Sequence, residues 1–228
     1  MCFHRKLWLS LVAATLLAGC TGGKLSMKTG ERIVFFGDSI TEQGVKPGGY
    51  VTLIREDLET RYPDLAIELI GAGVSGNKVP DLQNRLSRDV ISKKPNVVVI
   101  YIGINDVWHW KLNNLKGTTE QQYESGLREI IARIKYYGAE VILCTPSVIG
   151  EIPDTTYRQN LMLNKYSAIS RKVAKDIGVR VCDLHAAFET YLTVNNPDKK
   201  EKGILTVDGV HLNDAGNKFV AKEILNFF

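Results

Sequence analysis

From residue 31 onward the chain alternates between two hydrophobic rhythms. Short, nearly unbroken apolar runs occur at Arg32–Phe36, Ala66–Ile70, Asn96–Ile102, Glu140–Cys144 and Val179–Cys182. Runs of this length, rich in β-branched and aromatic residues, predict strands covered on both faces. Longer segments between them carry apolar residues at helical spacing. Tyr50–Tyr62 places Tyr50, Val51, Leu53, Ile54, Leu58 and Tyr62 in this way and stops at Pro63, which cannot continue a helix. Pro80–Ile91 reads as a helix with proline in its first turn. Thr119–Tyr137 has the stripe Tyr123, Leu127, Ile130, Ile131 and Ile134, with Gly138 as its stop. Tyr157–Ile177 repeats the pattern with Met162, Tyr166, Ile169, Val173 and Ile177, ended by Gly178. Leu184–Val194 and a last segment capped by Asn213 and running to Phe228 complete the set.

Five strands separated by helices imply a parallel sheet with helices on both faces. The expected class is α/β, a three-layer α/β/α sandwich of flavodoxin-like type. No linker or internal repeat interrupts residues 31–228, so they read as one domain.

The first thirty residues differ in kind. His4, Arg5 and Lys6 precede an apolar stretch, Leu7–Ala18, broken by Ser10 and Thr15. That stretch is too short to span a bilayer, which takes about 20 apolar residues. Small residues close it before Cys20, so residues 1–19 read as a signal peptide. Leu17-Ala18-Gly19-Cys20 resembles the lipobox of bacterial lipoproteins. The resemblance implies cleavage before Cys20, lipid on its thiol and a place in the cell envelope. Threonine rather than aspartate at position 21 favours the outer membrane or periplasmic face. Residues 20–30, with three glycines among them, read as a lipid-anchored flexible tether.

Composition changes this picture little. The chain has 228 residues, 44% apolar and 24% charged, an ordinary globular balance. Its net charge of +4 falls by two when Arg5 and Lys6 leave with the signal peptide. No basic block supports nucleic-acid binding. Cys144 and Cys182 each sit in a strand-like run and are expected as buried thiols, with pairing open if the strands are neighbours. Neither cysteine has metal-ligand spacing, and the chemistry below needs no metal or cofactor.

Candidate chemistry starts at the end of the first strand, where Ile33-Val34-Phe35-Phe36 runs into Gly37-Asp38-Ser39. Ligands of open α/β sheets bind at the carboxyl ends of strands. A serine there can cap a helix or act as a nucleophile, and a nucleophile needs a base and oxyanion donors. Asp208-Gly209-Val210-His211 offers a base with a carboxylate three residues before it, a spacing that a tight turn can close. Oxyanion donors are available from the Ser39 N–H, the Gly76 N–H and the Asn105 amide, each after a different strand. Alone, Gly76 is also a turn glycine, Asn105 a cap, and Asp208–His211 a surface pair.

Gly37-Asp38-Ser39-Ile40, the Gly76 turn, Gly103-Ile104-Asn105-Asp106 and Asp208-Gly209-Val210-His211 resemble, in order and strand context, the blocks of the SGNH (GDSL) hydrolases. The resemblance covers nearly all of residues 31–228. It implies a serine esterase with catalytic Ser39, Asp208 and His211 and an oxyanion hole of Ser39, Gly76 and Asn105. Gly71 departs from the asparagine that many members carry there. Asp38 and Asp106 are expected to tie their loops.

On the substrate side, Trp108, His109 and Trp110 follow Asn105 directly. The tryptophans either stack on a sugar or acyl group or anchor their own loop. The Pro146–Tyr157 loop is expected to form another wall, and His185 to cap or pack. The expected reaction is hydrolysis of short acyl esters, O-acetyl groups on carbohydrate foremost. A lysophospholipase or thioesterase is the alternative within the same chemistry. A lipid-anchored glycan-binding module without turnover is the alternative from another class.

Overall fold

The computed structural model describes residues 23–111, 116–152 and 158–228. The segment read as a signal peptide, Cys20 and parts of the 107–117 and 146–157 loops lie outside the described residues. Five strands, β1 (Arg32–Gly37), β2 (Glu68–Gly73), β3 (Val97–Tyr101), β4 (Glu140–Cys144) and β5 (Arg180–Cys182), form one parallel sheet in the order β2-β1-β3-β4-β5. Two short helices follow strands directly: α1 (Ser39–Gly44) after β1 and α4 (Ile104–Trp108) after β3. The longer helices are α2 (Tyr50–Arg61), α3 (Val79–Asp89), α5 (Glu120–Tyr136), α6 (Arg158–Ile177), α7 (Leu184–Asn195) and α8 (Asp214–Leu225). Helix α5 packs between α3 and α6, whereas α2 packs against α8. Phe188 of α7 meets Phe219 of α8 edge to face.

The sheet is the core. Ile33–Phe36 of β1 and all of β3 are buried, so these two central strands carry no polar side. From β1 the chain moves outward to β2, then crosses back to β3 and on to β5. The direction therefore reverses between β1 and β3, and the crevice at that point, at the carboxyl ends, is where such sheets bind ligands. Ser39 follows one of these strands and Asn105 the other.

Strand β2 runs three residues past its expected end, through Gly71-Ala72-Gly73, in register with Phe35, Phe36 and Gly37. These glycines belong to the strand because α1 lies against it. A methyl group at Gly73 would fall 2.1 Å from the Glu42 backbone nitrogen, and one at Gly71 would fall 2.2 Å from Val45 Cγ1. Glycine here permits close packing of a helix on a strand. Cys144 and Cys182 are register partners on adjacent strands, both buried as thiols. The segment read as a tether is partly fastened to the domain. Leu25 N–H donates to Phe227 O at 2.7 Å, Gly30 N–H to Leu65 O at 2.7 Å, and Leu25 and Met27 pack on the core.

Candidate active site

The nucleophile turn is built by steric demand. A Cβ at Gly37 would lie 2.2 Å from Thr41 Oγ1 and 2.3 Å from Tyr101 O, so only glycine lets β1 pass this close to α1 and β3. Asp38 then caps α1, its Oδ1 accepting from Ile40 N–H at 3.0 Å. Ser39 is the first residue of that helix, where a backbone N–H has no partner within the helix. Its hydroxyl lies 2.9 Å from His211 Nε2. Capping therefore falls to Asp38, and the Ser39 hydroxyl faces the histidine.

The base comes from a tight turn outside the sheet. Asp208 Oδ1 accepts from the backbone N–H groups of Val210 (2.9 Å) and His211 (2.8 Å), and its Oδ2 lies 2.7 Å from His211 Nδ1. Gly209 occupies φ +96°, which an L side chain rarely adopts. A carboxylate beside Nδ1 assigns the proton to that nitrogen and leaves Nε2 as an acceptor toward Ser39. Partial burial works to raise the Asp208 pKa, but hydrogen bonds from the His211 ring and from both backbone groups hold it below the usual carboxylate range. The carboxylate thus stays ionised, as it must to stabilise an imidazolium.

The three expected oxyanion donors sit on separate turns tied together by side-chain hydrogen bonds. Gly76 has φ +76°. Asn105 is buried, and its Nδ2 donates to Asn77 O at 3.1 Å, one residue past Gly76. One amide hydrogen fixes the side chain against the Gly76 turn, which leaves the other for an oxyanion. Glu42 of α1 holds Ser75 through both its N–H, at 2.8 Å, and its hydroxyl. Asp106 accepts from Val79 N–H at 3.2 Å through its side chain and from Thr118 N–H at 3.0 Å through its backbone carbonyl, so it ties α4 both to the start of α3 and to its own loop. Burial pushes Asp38 up to about 7 and Asp106 up to about 6.

Sequence reasoning missed Arg85. This buried side chain of α3 donates from Nε to Asn77 Oδ1 (2.6 Å), from Nη1 to Ala72 O (2.9 Å) and from Nη2 to Gly37 O (2.6 Å). Its guanidinium lies 4.5 Å from the centroid of the Phe36 ring. One cation therefore fastens the ends of β1 and β2 to the turn that carries Gly76. In sequence it reads as the polar side of an amphipathic helix.

Glu151 was missed because in sequence it is a loop acid with nothing to mark it as buried. Its fully buried carboxylate accepts from the N–H groups of Ile204 (2.7 Å), Leu205 (2.6 Å) and Thr206 (2.6 Å) and from the Thr206 hydroxyl (2.9 Å). Thr206 Oγ1 in turn accepts from Gly209 N–H at 3.0 Å, and Gly150 N–H donates to Gly209 O at 2.8 Å. The loop after β4 thereby holds the Asp208–His211 turn.

The aromatic segment after Asn105 divides into three roles. Trp108 lies 6.4 Å from His211, ring centroid to centroid, and lines a cleft of about 320 Å³ with Lys111, Ile149, Gln159, Glu201 and Lys202. Trp110 anchors the loop, its Nε1 donating to Thr118 O at 3.3 Å with Gly117 against the ring. His109 is buried, and loss of solvent holds its ring below the ordinary histidine range. His185 is also buried, with Nδ1 2.7 Å from Ser147 O and Nε2 2.5 Å from Asn164 Oδ1. It packs, while Asp183 caps α7. Among the described residues no His, Cys, Asp and Glu cluster could hold a metal ion.

A serine hydroxyl in line with a histidine and an ionised aspartate, at the switch point of a five-stranded parallel sheet, defines a serine hydrolase site. The chain belongs to the GDSL-like lipase/acylhydrolase family, whose profile matches residues 35–219, and is a carboxylic ester hydrolase. An acetylxylan esterase of Geobacillus stearothermophilus is 32% identical over 215 residues, 88% of this chain and 95% of that protein. The crystal structure of an acetyl xylan esterase, AlAXEase, is 46% identical with a TM-score of 0.82, covering 85% of this chain and 98% of that one. The G. stearothermophilus esterase Axe2 superposes with a TM-score of 0.79 at 31% identity, covering 89% of this chain and 96% of that one. Crystal structures of Axe2 include catalytic mutants in which a serine, an aspartate or a histidine is replaced by alanine. The aspartate there precedes the histidine by three positions, as Asp208 precedes His211.

Proposed function

We propose that this esterase removes O-acetyl groups from carbohydrate, acetylated xylan and its oligosaccharides foremost, while anchored to the cell envelope through lipid on Cys20. The observation that carries the chemistry is the unbroken line from Ser39 Oγ through His211 to Asp208, with steps of 2.9 and 2.7 Å. Ser39 Oγ attacks the acetyl carbonyl as His211 Nε2 takes its proton. The oxyanion that forms accepts from Ser39 N–H, Gly76 N–H and Asn105 Nδ2. Collapse leaves acetyl on Ser39, and the departing sugar oxygen takes the proton from His211. A water molecule, deprotonated by His211, then releases acetate and restores Ser39.

The cleft beside His211 supports a sugar as the leaving group. Trp108 offers a ring face and edge for stacking, while Lys111, Gln159, Glu201 and Lys202 offer polar partners to hydroxyls. A long acyl chain would prefer a deeper apolar groove. The acetylxylan esterases among its relatives support the same substrate. The test is acetate release from acetylated xylooligosaccharides, set beside a chain-length series of p-nitrophenyl esters. The expected result is acetate release with the series peaking at acetyl. A peak at long acyl chains with no acetate from the glycan would overturn the reading.

A further inference from the structure

We infer that the amino-terminal edge of the sheet is a membrane-facing surface, seated on anionic phospholipid, so that the catalytic edge points away from the bilayer. The inference rests on the lipid-anchor reading at Cys20 and adds to it an orientation and a contact face.

The point of attachment comes first. Arg180, the first residue of β5, donates from Nε to Gly23 O at 3.2 Å and from Nη1 to Glu140 Oε2 at 2.6 Å. Glu140 is the first residue of β4. The chain therefore meets the domain at the amino-terminal edge of the sheet. Cys20 is three residues from Gly23, a reach of about 10 Å at full extension. Ser39 lies beyond the opposite end of β1, roughly 20 Å away along the strand direction. A tether this short, on a domain further fastened by Leu25 and Met27, cannot turn the catalytic edge to the membrane without releasing those contacts.

The surface around that point has the chemistry of an interface. Helix α5 ends at this edge and leads through Gly138 into β4. Its last turn presents Tyr136 and Tyr137, which are 84% and 60% exposed and stacked edge to face at 5.3 Å. Tyrosine rings favour the headgroup level of a bilayer, apolar body inward and hydroxyl outward. Exposed Lys24, Lys93, Lys94 and Lys175 lie at the same edge, at the chain's approach and at the turns before β3 and β5. Of its acids, Glu140 is paired with Arg180 and Glu68 with Arg32 at 3.0 Å, Glu31 accepts from the neutral Lys28 N–H at 2.7 Å, and Asp64, in the turn before β2, is exposed. The four lysines outnumber the two carboxylates without a cationic partner, Glu31 and Asp64, and this cationic excess suits an anionic leaflet.

The test uses the mature lipoprotein reconstituted into phosphatidylglycerol–phosphatidylcholine vesicles containing doxyl-labelled lipid. Cys144 and Cys182 are buried, so a bimane introduced through Tyr137→Cys, Lys93→Cys or Val207→Cys labels the new site. The orientation predicts quenching at positions 137 and 93 several-fold above that at 207, and weaker quenching when phosphatidylcholine replaces the anionic lipid. Equal quenching at all three sites, or stronger quenching at 207, overturns the proposal. So does bimane at 137 that is shielded by a second protein copy and untouched by lipid. Intact mass separates the premises: a Cys20 without lipid sinks the anchor reading itself, whereas a lipidated chain with the wrong quenching order sinks the orientation alone.

Discussion

Ser39 and His211 meet at 2.9 Å, but they arrive on different kinds of support. Ser39, Gly76 and Asn105 stand at or just beyond the ends of β1, β2 and β3, on turns fixed by the sheet and locked by Arg85, Glu42 and Asp106. Asp208 and His211 stand on a loop with no strand beneath it. That loop is held by one carboxylate, Glu151, by the Thr206 hydroxyl it engages and by the Gly150 N–H on Gly209 O. In the proposed reaction the sheet-borne half supplies the nucleophile and the charge stabilisation, and the loop-borne half supplies the proton carrier. A donor aimed at a developing charge gains most from rigidity. A base that must pass a proton first from serine and then from water can tolerate, and use, a softer mount.

Removing the reacting groups should erase this difference. Ser39→Ala and His211→Ala are each expected to lower kcat by about 10⁴-fold or more, because residues acting as one unit fail together. Steady-state hydrolysis of p-nitrophenyl acetate measures both. A His211→Ala loss of only tenfold would mean that the loop half is not the proton carrier. Asn105→Ala should cost about 10²–10³ in kcat with little change in KM, the signature of an oxyanion donor.

The supporting residues separate the two halves. Arg85→Met strands Asn77 Oδ1, Ala72 O and Gly37 O, and should destabilise the protein by about 1–3 kcal/mol for each buried acceptor left unpaired. Arg85→Lys keeps the charge and tests the geometry, since a lysine cannot make the fork. It is expected to reduce kcat more than KM and to weaken a phosphonate transition-state analogue in parallel. Glu151→Gln turns one acceptor into a donor facing a backbone N–H, at about 1–3 kcal/mol. Its kinetic effect should fall on the rate of Ser39 acylation through His211, with the analogue's binding less affected. If both variants changed the same parameter equally, the two-mount description would be wrong.

The last expected effect concerns pH. Burial raises Asp38 to about 7 from its usual 3.8, so the native state holds this proton more tightly than the unfolded chain. Its contribution to stability is full below about pH 4 and is lost as the pH rises through about 7. Asp38→Asn keeps an acceptor for Ile40 N–H and stays neutral throughout. Its melting temperature should therefore gain on that of the parent by several degrees between pH 4 and 7. Parallel pH profiles for the two proteins would contradict the burial argument.

The fold was largely readable because a parallel sheet announces itself in unbroken apolar runs such as Asn96–Ile102, and helices in stripes such as Tyr123 to Ile134. The end of β2 was not, because Gly71 and Gly73 look like loop residues until α1 is seen lying on them. Short helices α1 and α4 escaped for lack of length: six and five residues give no periodicity. Ser39, Gly76, Asn105, Asp208 and His211 were legible as separate blocks whose order carried the signal. Arg85 and Glu151 were not, since the partners of a buried charge are chosen by tertiary contact. Trp108 and Trp110 differ in role, although each is a tryptophan in the same short stretch, because only the fold decides which ring faces the cleft.

The most direct test of the account is to find the acetyl group on the enzyme. The protein is mixed with acetylated xylooligosaccharide, quenched in acid during turnover, and its peptides are mapped by mass spectrometry. The account predicts acetyl on Ser39 in the parent and none in Ser39→Ala, together with loss of acetate release. Acetyl on another residue such as Ser75, or undiminished acetate release by Ser39→Ala, would contradict it.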